Sequence, residues 1–210
     1  IMLRDTDNAM TPEERYTLFL LNNIFGGILF TSDNISTYGP ETLRTYQSMF
    51  PFQKKENIVT RKIGNMIRIT FRIGTNNYVV YSNLSRRRAR VKMGDGLFFR
   101  SNGDAESSFV PGGTEFILAP HESRLYLVVS EEFFTVAGTS AHLFPGSEIV
   151  SCVQKGDTIY LRQHSQMKKE NMVYLRTPAT GQYYINSTPV QAQKVRDKLF
   201  LLAIELEGNP

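Results

Sequence analysis

From Glu56 onward the chain alternates apolar and polar residues in short runs, and this period of two constrains the fold more than any other feature. In "MIRITFRIG", Ile67, Ile69, Phe71 and Ile73 share one face while Arg68, Thr70 and Arg72 take the other, the pattern of a half-exposed strand. The runs "NYVVYSNLS", "ARVKMGDGLFF" and "TEFILAPHESRLYLVVS" continue it, with Gly94–Gly96 and Pro111–Gly113 as hairpin-type punctuation. Strands at this spacing predict an antiparallel sandwich over residues 56–130. A further β block, in the same or a second small sandwich, is expected over 131–207, built from "DTIYLRQHS", "NMVYLRTP", "GQYYIN", "PVQAQKV" and "KLFLLAIEL". In the last of these, Phe200, Leu202, Ile204 and Leu206 would share the core face, and "PVQAQKVRDK" fits a hairpin better than a short helix.

Residues 1–52 are α/β in character. Thr11-Pro12-Glu13-Glu14 starts a helix, with Thr11 as N-cap, proline at the first helical position and Glu14 completing a capping box. Tyr16, Phe19, Leu20 and Ile24 lie on one face and Leu18, Leu21 and Phe25 on another, which predicts a helix packed on both sides. Gly26-Gly27 ends it, and "ILF", Ile28–Phe30, reads as a short buried strand. Pro40 can start a second helix carrying Leu43, Tyr46 and Phe50, ending before Pro51. The fold class is therefore mostly β: an antiparallel sandwich region preceded by a short α/β segment. One strand end, one helix and one strand cannot form a sheet alone, so the opening is either a small cap or the end of a (β/α)8 barrel.

In a barrel, the residues just after each strand face the catalytic rim. That places Asp5, Asp7 and Asn8, with Arg4, after one strand, and Ser32 and Asp33, with Asn34, after the next, as candidate substrate-binding groups. The structural alternative is that Asp7 and Asn8 stabilise the turn before the helix while Asp33 and Asn34 shape a loop.

Composition narrows the chemistry. Cys152 is alone, so no intrachain disulfide or Cys-based metal site can form, and His121, His142 and His164 lack the short spacing of a metal pair. No metal and no cofactor are expected. No apolar run approaches the roughly 18 residues that cross a bilayer, and no membrane partner is expected. No leader sequence is visible, and the expectation is a cytoplasmic rather than a secreted protein. The net charge of +4 clusters at "SRRRARVK", where Arg86, Arg88, Arg90 and Lys92 would line one strand face. A solvated face is the better reading of so short a run, and no nucleic-acid partner is expected without a second basic patch interleaved with aromatics. Tryptophan is absent, and an outward ring from the Tyr183-Tyr184 pair is a weak platform for a sugar.

"MLRDTDNAMTPEERYTLFLLNNIFGGILFTSDN" resembles the region of melibiase-type α-galactosidases downstream of their catalytic acid/base, where a strand leads to Leu-Arg, a Thr-capped helix, a Gly-Gly and a strand ending near Ser-Asp. "YVVYSNLSRRRARVKM" and "FILAPHESRLYLVV" resemble the family's C-terminal β domain, in which a Pro-His-x-Ser turn precedes an apolar strand. The resemblance covers residues 1–130 and is absent beyond them. It implies that residues 1–52 are the last two βα units of a truncated TIM barrel, and that the parent is a retaining hydrolase of terminal α-galactosides. Both catalytic carboxylates of such enzymes come from earlier strands, so no catalytic residue is expected in this chain and the chain alone should be inactive. A homo-oligomer, or a changed packing of residues 1–50, is expected where the barrel is missing. The rival readings are a stand-alone carbohydrate-binding or interaction module, and a nucleic-acid-binding β domain built around Arg86–Lys92.

Overall fold

The computed structural model describes residues 2–4, 8–28, 30–101, 107–155, 158–163, 169–177, 183–185, 188–196 and 198–206. Two helices, α1 (Pro12–Phe25) and α2 (Pro40–Ser48), precede the strands β1 (Glu56–Ile63), β2 (Met66–Ile73), β3 (Asn76–Ser82) and β4 (Ala89–Lys92). Short strands follow: β5 (Leu97–Phe99), β6 (Phe109–Pro111), β7 (Glu115–Leu118), β8 (Ser123–Val129) and β9 (Thr135–Thr139). The chain continues through β10 (Ile149–Lys155), β11 (Thr158–Gln163) and β12 (Lys169–Arg176). Last come β13 (Tyr183–Ile185), β14 (Thr188–Val190), β15 (Gln193–Arg196) and β16 (Leu199–Leu206). The fold is mostly β, with antiparallel pairing throughout the registers, as the alternation of apolar and polar residues predicts.

The residues gather into two compact units. The first comprises Ile1–Met49, Lys54–Gly94 and Gly113–Tyr126; the second comprises Phe50–Gln53, Asp95–Gly112 and Leu127–Pro210.

In the first unit, β1, β2 and β3 lie in sequence order, with the start of β8 beside β3. The β2–β3 register runs unbroken from Ile67↔Ser82 to Ile73↔Asn76. Ile69, Phe71 and Ile73 of β2 are buried while Arg72 is exposed, so the alternating face points where the sequence places it. Tyr78 stacks on Phe71 with ring centroids 5.2 Å apart, and Tyr81, Phe116 and Tyr126 pack as a second aromatic cluster. β4 pairs with β7; Val91 and Leu118 turn inward while Arg90 and Lys92 turn out.

Helix α1 begins as its sequence dictates. The Thr11 hydroxyl accepts from the Glu14 amide at 3.2 Å, and Glu14 Oε2 accepts from the Thr11 amide at 2.9 Å. Phe19, Leu20 and Ile24 are buried with Thr17 and Asn23 on a single stripe, whereas Leu18 and Phe25 are exposed. The expectation of a helix packed on both sides is corrected: only the face turned to the sheet is covered. The expected strand at "ILF" is corrected too, since Ile28 and Phe30 are 74% and 78% exposed and carry no strand geometry, with Leu29 outside the described residues. A strand persists only where a neighbour completes its hydrogen bonds, and no described strand pairs with this segment.

What holds α1 in place is polar. The Thr17 hydroxyl lies 2.6 Å from the carbonyl of His121 and 2.8 Å from Ser123 Oγ, which in turn lies 2.7 Å from Ser82 Oγ. All three hydroxyl residues are buried. His121 occupies a left-handed conformation, φ 59°, at the Pro-His-Glu-Ser turn; its amide donates to Ser85 and its ring stands 3.7 Å from Glu14.

In the second unit, β5 pairs with β6 and with Leu127–Val129 of β8, and a four-stranded sheet runs β15-β16-β12-β9. Ala141, Val173, Leu175 and Leu202 form its core, backed by Val136, Leu161 and Ala192. The expected hairpin in "PVQAQKVRDK" is present as β15 turning into β16; Phe200 and Leu202 are buried, while the side chains of Ile204 and Leu206 lie outside the described residues. The two glycine-rich stretches expected as hairpin turns close no hairpin. They supply positive φ, 107° at Gly96 and 77° at Gly113, where the chain passes between ladders.

Phe99, Phe109 and Tyr174 pack with centroids 5.1 to 5.3 Å apart, and Gly138 lies flat beneath the Phe99 ring. A Cβ at Gly138 would collide with three carbons of that ring, although its backbone conformation suits any residue. Gly138→Ala is therefore expected to lower stability by about 1–3 kcal/mol through overpacking, measured by chemical unfolding. Combining it with Phe99→Leu should cost less than the sum of the two single changes; strict additivity would show that the ring is not the obstacle.

Candidate functional site

Two of the residues expected at a barrel rim, Arg4 and Asp33, are tied together through one carboxylate. Asp33 is buried, and its Oδ2 accepts from the Leu3 amide at 2.6 Å, the Arg4 amide at 3.0 Å and the Tyr38 hydroxyl at 2.7 Å. Arg4 Nη1 stands 3.8 Å from Asp33 Oδ1. The loop is shaped from within: the Asp33 amide donates to Thr31 Oγ1, and Asn34 Oδ1 caps the 3-10 turn Ile35–Thr37 by accepting from Ser36. Tyr38 is steadied by an edge contact with Tyr46 of α2.

Burial opposes charge on Asp33, but the hydrogen bonds from Tyr38 and from the Leu3 and Arg4 amides, together with the charge of Arg4, prevail and hold its pKa below the usual carboxylate value. Tyr38 is pushed up to about 12 by burial and by its bond to Asp33, so it stays a donor across the neutral range. An ionised acceptor already serving three donors is an anchor. It fixes Leu3 and Arg4 beside Thr31–Tyr38.

Of the sequence-predicted residues, the structure brings Asp33 against Arg4 and links Arg4 to Asn8. Asn8 Nδ2 donates to the Arg4 carbonyl at 2.6 Å, and its Oδ1 accepts from the Met10 amide at 3.0 Å, just ahead of α1. Ser32 is exposed beside the buried Asp33. Asp5 and Asp7 lie outside the described residues. Sequence reasoning missed Tyr38; the available signal was a tyrosine five residues beyond Asp33, just before the Gly-Pro start of α2. Among the described residues no three His, Cys, Asp or Glu side chains gather to hold a metal ion, and no helix is long and apolar enough to cross a membrane. Burial raises the pKa of Cys152, which leaves its thiol protonated at neutral pH.

No family model and no curated protein matches the sequence. Among solved structures, the chain is similar to a variant of a GH27 β-L-arabinopyranosidase from Geobacillus stearothermophilus, in complex with arabinose, with a TM-score of 0.51 and 18% identity. The match covers 63% of this chain and 37% of that one, so the chain spans well under half of the enzyme's length. It is also matched, at a TM-score of 0.26 and 12% identity, to the γ-CGTase of an alkalophilic Bacillus clarkii, over 73% of this chain and 22% of that one; a likeness so slight carries no argument. The first likeness is one of fold, to part of a glycoside hydrolase.

Asp33→Asn keeps the shape and removes the charge that organises the site. It is expected to cost about 1.5–3 kcal/mol at neutral pH, the range for hydrogen bonds to a charged group. Because the folded-state pKa is depressed, this stabilisation is present above the unfolded value near 3.8 and is lost as pH falls through the lower folded value. Unfolding curves of the two proteins should therefore converge below that value; a gap independent of pH would remove charge from the explanation.

Proposed function

We propose that this chain is the C-terminal part of an α-galactosidase-like retaining glycoside hydrolase acting on terminal α-galactosides. In this reading residues 1–52 are the last two βα units of the catalytic barrel, residues 56–130 an antiparallel sandwich and residues 131–207 a further β block. The observation that carries it is the likeness of fold to a GH27 enzyme, a family in the same clan as the melibiase-type α-galactosidases. α-Galactose and β-L-arabinopyranose share their ring stereochemistry and differ by one hydroxymethyl group, so a pocket for one needs little change to take the other.

The exposed apolar side chains support the same reading. Leu18, Phe25 and Ile28 present an uncovered surface on and after α1, and in a whole barrel the preceding βα units would cover it. Asp33 holds Leu3 and Arg4 beside its own loop, and Ser32 and the partly exposed Arg4 are the groups proposed to meet sugar hydroxyls.

Retaining chemistry needs a nucleophilic carboxylate and an acid/base about 5–5.5 Å away. The buried and half-buried carboxylates described here are engaged elsewhere: Asp33 with its three donors, Glu14 with the α1 cap, Glu56 with Lys54 and Arg72, Glu122 with Arg124 and the Ala119 amide, and Glu148 with Asn171. In the proposed reading the nucleophile and the acid/base belong to earlier strands of the barrel.

Two experiments test this. The isolated chain should release no nitrophenol from p-nitrophenyl α-D-galactopyranoside, whereas the protein translated from the full reading frame should; turnover by the isolated chain would overturn the division, and a full-length protein preferring the β-L-arabinopyranoside would correct the substrate. In the isolated chain the open α1 face should drive self-association, seen by light scattering. Changing Leu18, Phe25 and Ile28 to glutamine should give a monomer while altering stability by only about 0.5 kcal/mol each, as for other exposed sites. A wild-type chain that is already monomeric at the same concentration would remove this support.

A further inference from the structure

The first unit carries a row of cations that the glycosidase reading leaves unused. Arg86, Arg87, Arg88, Arg90 and Lys92 are all exposed, and among the described residues none of them is in an ion pair. The nearest acidic position in register, Glu115 opposite Lys92, is exposed and makes no ion pair either. The row begins at an open groove of about 400 Å³ lined by Thr60, Lys62, Asn65, Met66, Leu84 and Ser85. Lys62 is exposed and unpaired as well.

The loop that presents the arginines is built in place. Asn83 is wholly buried; its Nδ2 donates to the carbonyls of Arg87 and Ala119, both at 2.7 Å, and its Oδ1 accepts from the amide and the hydroxyl of Ser85. The Asn83 amide donates to Glu122, and the Ser85 carbonyl accepts from the His121 amide. One buried amide side chain thus fixes both ends of the turn that carries Arg86–Arg88. Beyond it, Arg90 and Lys92 point outward from the same strand, about 6–7 Å apart at the strand rise per residue. Like charges held close and uncompensated raise the local potential and attract anions. Their succession along the chain, three in the turn and two on β4, suits a polymer bearing a charge on each repeat better than one small anion.

We propose that this edge of the first unit, from the groove along β4, binds an extended acidic polysaccharide. Its carboxylate or sulfate groups pair with Lys62 and the arginine row, and its ring hydroxyls meet Thr60, Asn65 and Ser85. A polysaccharide is favoured over single-stranded nucleic acid because bases need rings to stack on, and the exposed large apolar side chains beside the row, Leu84 and Ile117, are aliphatic.

The test is titration of the chain with a heparin octasaccharide and, separately, with single-stranded DNA of equal charge. Heparin should bind, losing about tenfold or more in affinity between ~50 and ~300 mM salt as exposed charges are screened. The combined Arg86→Gln, Arg87→Gln and Arg88→Gln variant should lose a similar factor with an unchanged melting temperature, because these exposed side chains make no ion pair or hydrogen bond with the described residues. Arg72→Gln, at an exposed arginine already engaged by Glu56, should bind as the parent does. Failure to bind heparin overturns the proposal, as does an equal loss in the Arg72 variant, which would mean attraction by net charge alone. Equal or tighter binding of DNA replaces the polysaccharide with a nucleic acid. None of these outcomes depends on the glycosidase assay.

Discussion

The first unit is organised around a buried polar contact. Thr17 of α1, Ser123 of β8 and Ser82 of β3 share hydroxyl hydrogen bonds in a site closed to water. Apolar burial of Phe19, Leu20 and Ile24 brings the helix to the sheet, but it is non-directional and would tolerate sliding or rotation of α1. A buried hydroxyl left without its partner costs about 1–3 kcal/mol, so the three hydroxyls select one position. The carbonyl of His121 joins the same contact, which places the Pro-His-Glu-Ser turn in its left-handed conformation, and that turn receives Ser85. Helix, turn and arginine loop are thereby set by one interaction.

The second unit repeats the device with an asparagine. Asn171 of β12 is buried; its Oδ1 accepts from the amides of Ser140 and Ala141, and its Nδ2 donates to Glu148 and Gln163. Just past the end of β9 it satisfies the Ala141 amide and shares the Ser140 amide with the Met172 carbonyl. His142 performs a similar task nearby. Its Nδ1 accepts from the Phe144 amide and lies 2.8 Å from Ser147 Oγ, so its Nε2–H is free to donate to the Pro51 carbonyl at 3.0 Å. Amide and imidazole side chains suit such places because each offers a donor and an acceptor at a fixed separation, as an irregular bend requires.

Those contacts explain which parts of the fold were legible. The capping box at Thr11–Glu14 and the alternation of β2 are local: each is complete within eight residues and follows from hydrogen-bond geometry or side-chain period. The Thr17–Ser123 contact joins residues 106 apart, and neither residue looks unusual in its own neighbourhood. The errors have the same origin. "ILF" has the composition of a buried strand and Leu18 and Phe25 that of a second buried face, but burial needs a partner, and no residue nearby says whether one exists. At the candidate site, the sequence located the Asp33 loop and left open whether it shapes a turn or meets a ligand; which of its oxygens are engaged became visible only with Leu3, Arg4 and Tyr38 around it.

The state of Asp33 bears on how work is divided in the proposed enzyme. A general acid for glycoside cleavage must hold its proton near neutral pH, which requires burial in apolar surroundings with few donors to stabilise the charge. Asp33 has the burial and the opposite of the rest: two backbone amides, a phenol and a guanidinium all favour its ionised form. Such a carboxylate does not donate a proton, and its Oδ1, which accepts no hydrogen bond, is buried beside the Arg4 guanidinium. It can hold two loops at a constant separation, and a pocket assembled from several strands needs this as much as it needs its acid. The features that disqualify Asp33 as a general acid therefore fit it to hold Leu3 and Arg4 against Tyr38.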